Sequence, residues 1–200
     1  MTALRPRLGV LGGSFDPPHL AHLAIASEAA HALALERVLF VPAAAPPHKE
    51  SAKRASAPLR LDLTGLAVLD DLRFTVSGIE IDQDLVYTKD TLAALAEHCP
   101  GRDLVFIMGS DSLLQFETWR DPEALLATCS IAVAPRPGHS PQAVAAAAER
   151  WGADRFTLLA APLLGISSSD VRARVAAGRP IRYLVPAPVE RRIHELGLYR

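Results

Sequence analysis

Short, unbroken apolar runs recur along the chain, separated by longer stretches whose apolar residues stand three and four apart. The runs are Leu8-Gly9-Val10-Leu11, Arg37-Val38-Leu39-Phe40-Val41, Phe74-Thr75-Val76, Asp103-Leu104-Val105-Phe106-Ile107-Met108, Ser130-Ile131-Ala132-Val133-Ala134 and Arg155 to Ala160. Apolar residues at successive positions predict strands covered on both faces. Helical spacing marks the Ala/Leu-rich segment up to about Leu35, then Leu59 to Leu69, Tyr87 through Leu95 and Ala96, Pro141 to Trp151, and a closing helix from Pro188 to about Leu196. Gly78-Ile79-Glu80-Ile81-Asp82 alternates and predicts an edge strand or an extended segment. Strand, helix, strand at this spacing is a βαβ unit with a right-handed crossover. The pattern therefore predicts an α/β fold: a doubly wound parallel sheet of about six strands in a single domain over residues 1–200, with a small helical part at the end.

The richest stretch follows the first run: Gly12-Gly13-Ser14-Phe15-Asp16-Pro17-Pro18-His19-Leu20-Ala21-His22. Its order reads as strand, tight glycine turn, helix. Prolines suit the first turn of a helix, where a missing N–H costs nothing. Gly12 and Gly13 let the backbone approach a ligand closely. The N–H groups and partial positive charge at a helix start favour an anion there. His19 and His22, three apart, share a face near that end. The stretch is neither a P-loop nor a dinucleotide fingerprint, and it lacks the spacing of a zinc helix. It reads as a phosphate site faced by two imidazoles, against the plainer reading of a glycine turn with two half-exposed histidines.

Further candidates fall at the same kind of place. The second run leads into a long loop, 42–57, in which Pro46-Pro47-His48-Lys49 stands; Lys49 can reach the same phosphates or be a solvated loop lysine. Thr88 with Thr91, or Asp90, supplies N-capping chemistry at the head of a helix. The fourth run ends in Gly109-Ser110-Asp111-Ser112, where open α/β sheets bind ligands. Trp119 is either core filling or a stacking surface for a planar ligand. Ile166-Ser167-Ser168-Ser169-Asp170-Val171-Arg172 opens another helix, with hydroxyls, backbone N–H groups and a guanidinium converging on a second oxyanion site.

Composition narrows the partners. Half of the residues are hydrophobic, 22% are charged, and the formal net charge is −1. No global basic field or continuous basic stripe draws in nucleic acid or an anionic membrane. No apolar run approaches the ~18 residues of a membrane span, and no signal-peptide core precedes the first strand, so a cytoplasmic location is expected. Cys99 and Cys129 are far apart in apolar surroundings and read as reduced core thiols.

Taken together, the glycine turn with its H-x-x-H, Pro47-His48-Lys49, Tyr87-Thr88-Lys89-Asp90-Thr91, Gly109-Ser110-Asp111, Trp119, Ile166 to Arg172 and Ile181-Arg182-Tyr183-Leu184-Val185-Pro186 resemble the nucleotidyltransferase superfamily. More narrowly, they resemble its bacterial nicotinate-nucleotide adenylyltransferases, over nearly the whole chain. One departure is Ala21, where that family usually has glycine; a small tightening against a nucleotide is expected from its methyl. The resemblance implies a Rossmann-like fold and the joining of ATP to nicotinate mononucleotide, giving the dinucleotide and pyrophosphate by in-line attack of a 5′-phosphate on the α-phosphorus. It implies that His19 and His22 contact the ATP phosphates, that Lys49 bridges the reacting phosphates, and that Ser168, Ser169 and Arg172 hold the β- and γ-phosphates. The Gly12, Ser14 and Phe15 turn would then belong to the ATP site. Gly109 and Asp111 would lie at the ribose, and Arg136 and Ile166 near the adenine. Trp119 would stack on the pyridine ring, with Tyr87 and the backbone around Thr88 receiving its carboxylate. Mg2+ would be held mainly by phosphate oxygens, with no dedicated protein metal site. The runners-up are transfer to nicotinamide mononucleotide, then to phosphopantetheine, and, outside the enzymes, a nucleotide-binding regulatory domain. Whether the chain forms a homo-oligomer is left open.

Overall fold

The structure, a computed structural model, describes residues 5–44 and 54–200. Six parallel strands form the sheet of the described residues: β1 Arg7–Gly13, β2 Arg37–Pro42, β3 Phe74–Val76, β4 Asp103–Gly109, β5 Cys129–Ala134 and β6 Phe156–Leu158. Their order is β3-β2-β1-β4-β5-β6, with Gly13 opposite Pro42 and Gly109 opposite Ala134 in register. The helices are α1 Leu20–Ala32, α2 Ala57–Val68, α3 Ile79–Asp82, α4 Thr88–His98, α5 Ser110–Leu114, α6 Pro122–Thr128, α7 Pro141–Arg150, α8 Ser168–Ala176 and α9 Ala187–Glu195.

The apolar runs form central strands because each successive side chain meets a different hydrophobic cluster. Val10, Phe106, Met108, Ile131 and Val133 point into one cluster, while Leu11, Val105, Ile107, Ala132 and Ala134 point into another on the opposite face. Burying a side chain the size of Ile107 contributes about 1.5–3 kcal/mol, so a polar residue on either face of β4 is heavily penalised. In α1, Ala21, Ile25, Ala26, Ala29 and Ala30 are buried, and this row of mostly small residues packs against the second cluster. A third cluster, away from the sheet, joins Leu63 and Ala67 of α2 to Val171 and Val175 of α8, Val189 and Ile193 of α9, and Tyr199. It is the small helical part expected at the end of the chain.

The structure departs from the sequence reading in places. Gly78-Ile79-Glu80-Ile81-Asp82 is not extended: α3 occupies it, closed by Asp82 N–H donating to Gly78 and Gln83 N–H to Ile79. The sixth strand is shorter than expected, because residues 153–155 make a 3₁₀ turn before β6 begins. At α4 the N-cap is Tyr87, with no side-chain capping bond; Thr91 Oγ1 donates instead to Glu80 Oε1 (2.8 Å) and to the Tyr87 carbonyl. Cys129 is buried, and burial pushes its thiol up to about 11. No helix among the described residues is long and apolar enough to cross a membrane.

Candidate active site

The strand order reverses between β1 and β4, so the loops that leave these neighbours part in opposite directions and open a crevice at their carboxyl ends. A cavity of about 540 Å³ lies there. It is lined by Gly12 and Gly13, which end β1 where a tight turn was expected, by Ser14 and Phe15 just after them, by His19 and His22, and by Gly109, Asp111, Trp119 and Arg136. Ser167, Ser168, Ser169 and Arg172 close the other side.

His19 is the N-cap of α1, in extended backbone, and His22 is its third helical residue. The His19 N–H donates to His22 Nδ1 (3.2 Å), so a neutral His22 carries its proton on Nε2. The two rings stack with centroids 3.7 Å apart, and Phe15 presents its ring edgewise to His22 at 4.9 Å. Burial, then the nearby Arg136, lowers the His19 imidazole to about 4. Burial, then His19, then Arg136, holds His22 well below its ordinary value. Both imidazoles are therefore neutral near pH 7. The first helical N–H, that of Leu20, is taken by the Leu184 carbonyl (2.9 Å) in the Ile181–Pro186 turn. The His22 N–H is taken by the His19 carbonyl (3.0 Å).

Across the cavity, Ser167 caps α8, its Oγ accepting from the Asp170 N–H (3.0 Å). Ser168 Oγ donates to the Pro17 carbonyl (2.8 Å), and Arg172 Nη1 to the Asp16 carbonyl (2.6 Å). Arg172 Nη2 also reaches Ser169 Oγ at 3.2 Å. The head of α8 is thus bound directly to the turn that carries the histidines. On the third side, Arg136 Nε stands 3.8 Å from Asp111 Oδ1, and Gly109 sits between them. A Cβ on Gly109 would come within 2.9 Å of Arg136 Nε and closer still to the Asp111 carboxylate, so a side chain there requires those two side chains to move aside. A Cβ on Gly12 would meet only the Phe106 ring, at 3.5 Å. Protein contacts do not require glycine there, and its lack of a side chain serves the open cavity.

Trp119 lies between core and cavity. Its ring packs on Phe106 and Phe116, with centroids 6.0 and 5.6 Å away, and it also lines the cavity. Tyr87, Thr88 and Ile166 are not among the lining residues. Tyr87 lies under the guanidinium of Arg120, 5.6 Å from the ring centroid and next in sequence to Trp119, while Ile166 packs on the third cluster. Lys49 lies outside the described residues. Ala21 is 3% exposed and does not line the cavity. Its methyl is buried in the protein and is not brought to the cavity wall, where the expected tightening would require it.

Two groups central to this geometry had no role in the sequence reading. Arg60 is buried in α2; its Nη1 donates to the Ser14 carbonyl (2.8 Å), and its Nη2 donates to the carbonyls of Ala43 and Ala44. It fastens the turn after β1 to the end of β2. The available signal was its spacing: Arg60 occupies the same buried stripe as Leu63, Thr64 and Ala67, and a charged residue there needs built partners. Asp16 is the other, a buried carboxyl within the motif itself.

Comparison with known proteins places this arrangement among relatives. The family described as cytidylyltransferase-like matches residues 10–174. A protein of Exiguobacterium sibiricum named "Probable nicotinate-nucleotide adenylyltransferase" is 43% identical over 194 residues, covering 96% of this chain and 98% of its own. One of the same name from Thermus thermophilus is 42% identical over 195 residues, covering 97% and 100%. The Plasmodium falciparum nicotinic acid mononucleotide adenylyltransferase complexed with NaAD shares the fold with a TM-score of 0.79 at 18% identity, each chain covered to 97%.

Proposed function

We propose, for a chain that belongs to the nicotinate-nucleotide adenylyltransferases of the cytidylyltransferase-like family, that it joins ATP and nicotinate mononucleotide into nicotinate adenine dinucleotide with release of pyrophosphate. The observation that carries this reading is the convergence of two helix N-termini, α1 with its stacked histidines and α8 with its serines and arginine, on one cavity. In the reaction, a phosphate oxygen of the mononucleotide forms a bond to the α-phosphorus of ATP. The bond between the α-phosphorus and the β-phosphate oxygen breaks, and its electrons leave with pyrophosphate. No covalent enzyme intermediate is needed, so the protein's work is positioning and charge stabilisation.

His22 Nε2–H and His19 donate to the α-phosphoryl oxygens as negative charge gathers there. Their burial makes each such bond stronger than the same bond in water. Ser168, Ser169 and Arg172 receive the β- and γ-phosphates, with the guanidinium offering paired donors. Gly109 and Asp111 meet the ribose, Arg136 lies toward the adenine, and Trp119 offers its ring to the pyridine. Lys49, on the segment leaving β2, and the backbone near Tyr87 and Thr88 complete the mononucleotide side. The groups facing the cavity are mostly N–H and O–H donors, and Asp111 is the carboxylate among its lining residues. That donor set fits Mg2+ as a companion of the ATP phosphates, whose charge it neutralises when bound.

The test is pyrophosphate release with ATP and Mg2+, comparing nicotinate mononucleotide with its amide at equal concentrations. A strong preference for the acid is expected. Equal rates would make the enzyme dual-specific, and no release with either would overturn the reading.

A further inference from the structure

Asp16 lies in the turn between β1 and α1, 1% exposed, and its two carboxyl oxygens face different parts of the molecule. Oδ1 accepts from Tyr199 Oη at 2.8 Å and from the Ala55 N–H at 3.2 Å. Oδ2 accepts no hydrogen bond from the described residues; it faces Arg172 Nη1 at 3.7 Å and Arg54 Nε at 4.0 Å. Both guanidinium groups line the cavity.

Tyr199 is 6% exposed within the third hydrophobic cluster, in left-handed backbone with φ at 64°. A tyrosine holds that conformation only where its surroundings fix it. Burial, reinforced by the Asp16 carboxyl, raises the phenol above its ordinary range, so the hydroxyl remains a donor at any working pH. The ring is thus clamped, and its hydroxyl has one destination.

We infer that Tyr199 is a positioning residue for phosphate binding: by occupying Oδ1 of Asp16 it keeps that carboxyl from closing on Arg172. The inference rests on the proposed role of Arg172 at the ATP phosphates. A buried carboxyl oxygen without a donor is costly, and Oδ2 has none among the described residues. With the tyrosine hydroxyl in place, Oδ1 is turned toward the third cluster, and the Arg172 guanidinium stands beyond hydrogen-bond distance from Oδ2. Removing the hydroxyl leaves the Ala55 N–H as the single donor to Oδ1. The carboxyl then turns toward the guanidinium groups, and Arg172, already bound to the Asp16 carbonyl and 3.7 Å from Oδ2, is held by a closed ion pair as well, which the substrate must break.

The experiment is a double-mutant cycle read by titration calorimetry of ATP without the mononucleotide, alongside steady-state kinetics. Tyr199→Phe keeps the ring and is expected to weaken ATP affinity about tenfold, while KM for the mononucleotide changes by less than about twofold. In an Asp16→Asn background, or an Arg172→Ala background, the same substitution is expected to change ATP affinity by less than about twofold. A merely structural tyrosine would weaken binding equally in all three backgrounds, and that result would overturn the inference, as would unchanged affinity in Tyr199→Phe. If Tyr199→Phe yields no folded protein, Asp16→Asn carries the test through the carboxyl. It must alter ATP affinity when Arg172 is present and leave it unaltered in Arg172→Ala; equal effects in both would overturn the inference. Calorimetry does not need turnover, so a protein that binds ATP and transfers nothing refutes the proposed reaction and not this coupling.

Discussion

The two helix starts that face the cavity are built from opposite materials. At α1 the capping group is a buried histidine, the polar side chains are neutral imidazoles stacked on each other, and the Phe15 ring, itself lining the cavity, packs edgewise on His22. At α8 the cap is a serine, the side chains are two hydroxyls and a guanidinium, and much of this face is open to solvent. A buried neutral donor costs little to desolvate and gains most when charge appears beside it, which suits the phosphorus undergoing reaction. In the proposed reaction, a partly exposed guanidinium would hold phosphates alike before and after the chemical step. The difference teaches a division of labour: α1 should govern kcat, and α8 should govern affinity.

The largest effect that would break this comparison lies at α1. His22→Ala is expected to lower kcat by roughly 10²–10³-fold, the range for losing one preorganised donor, with KM for ATP changed much less. A fall of under about threefold in steady-state assays would remove His22 from the chemistry.

A somewhat smaller effect is expected in stability as a function of pH. The folded state holds His19 at about 4, while the unfolded chain binds a proton near 6.5. Between those values the unfolded state carries more protons, so stability is full above about pH 6.5 and is lost as pH falls toward 4. His19 alone contributes a loss of about 3 kcal/mol over that window, and His22 acts in the same direction. Urea unfolding at a series of pH values measures the slope, and His19→Asn should flatten it. A slope that is unchanged in that variant would place the buried charge cost elsewhere.

The smallest effect sharpens the other side. Ser167→Ala removes the cap of α8 and should cost about 1 kcal/mol in urea unfolding, with kcat changed by less than about twofold. A larger loss in kcat would give α8 a part in the chemical step.

Much of the fold was legible because strands covered on both faces leave no alternation to misread, and helices follow the runs. The segment at Gly78 misled for a local reason. Its alternation matched a strand, yet only Ile79 is buried there, and a Ser77 Oγ accepting from the Ile79 N–H starts a helical turn instead. Within the site, residues that stand together in one motif were readable. The Arg60 ties to Ser14, Ala43 and Ala44, and the meeting of Asp16 with Tyr199, were not. They join segments far apart in the chain, and periodicity carries no information about which distant side chain a buried polar group will find.

Gly109 has a consequence for how natural variation at the cavity should be interpreted. Its backbone is ordinary, with φ at −80°, and a rule based on dihedral angles would class the position as open to many residues. Any of them would have to push aside the Asp111 and Arg136 side chains, which face the cavity. Gly138 is the reverse case: its φ of 88° disfavours side chains, yet nothing lies within 4 Å of where a Cβ would go. Asparagine, which tolerates that region, can therefore replace glycine at 138 with modest strain. Among descendants of this chain, a side chain at position 109 displaces the acid and the arginine from their present placement, while one at position 138 displaces nothing.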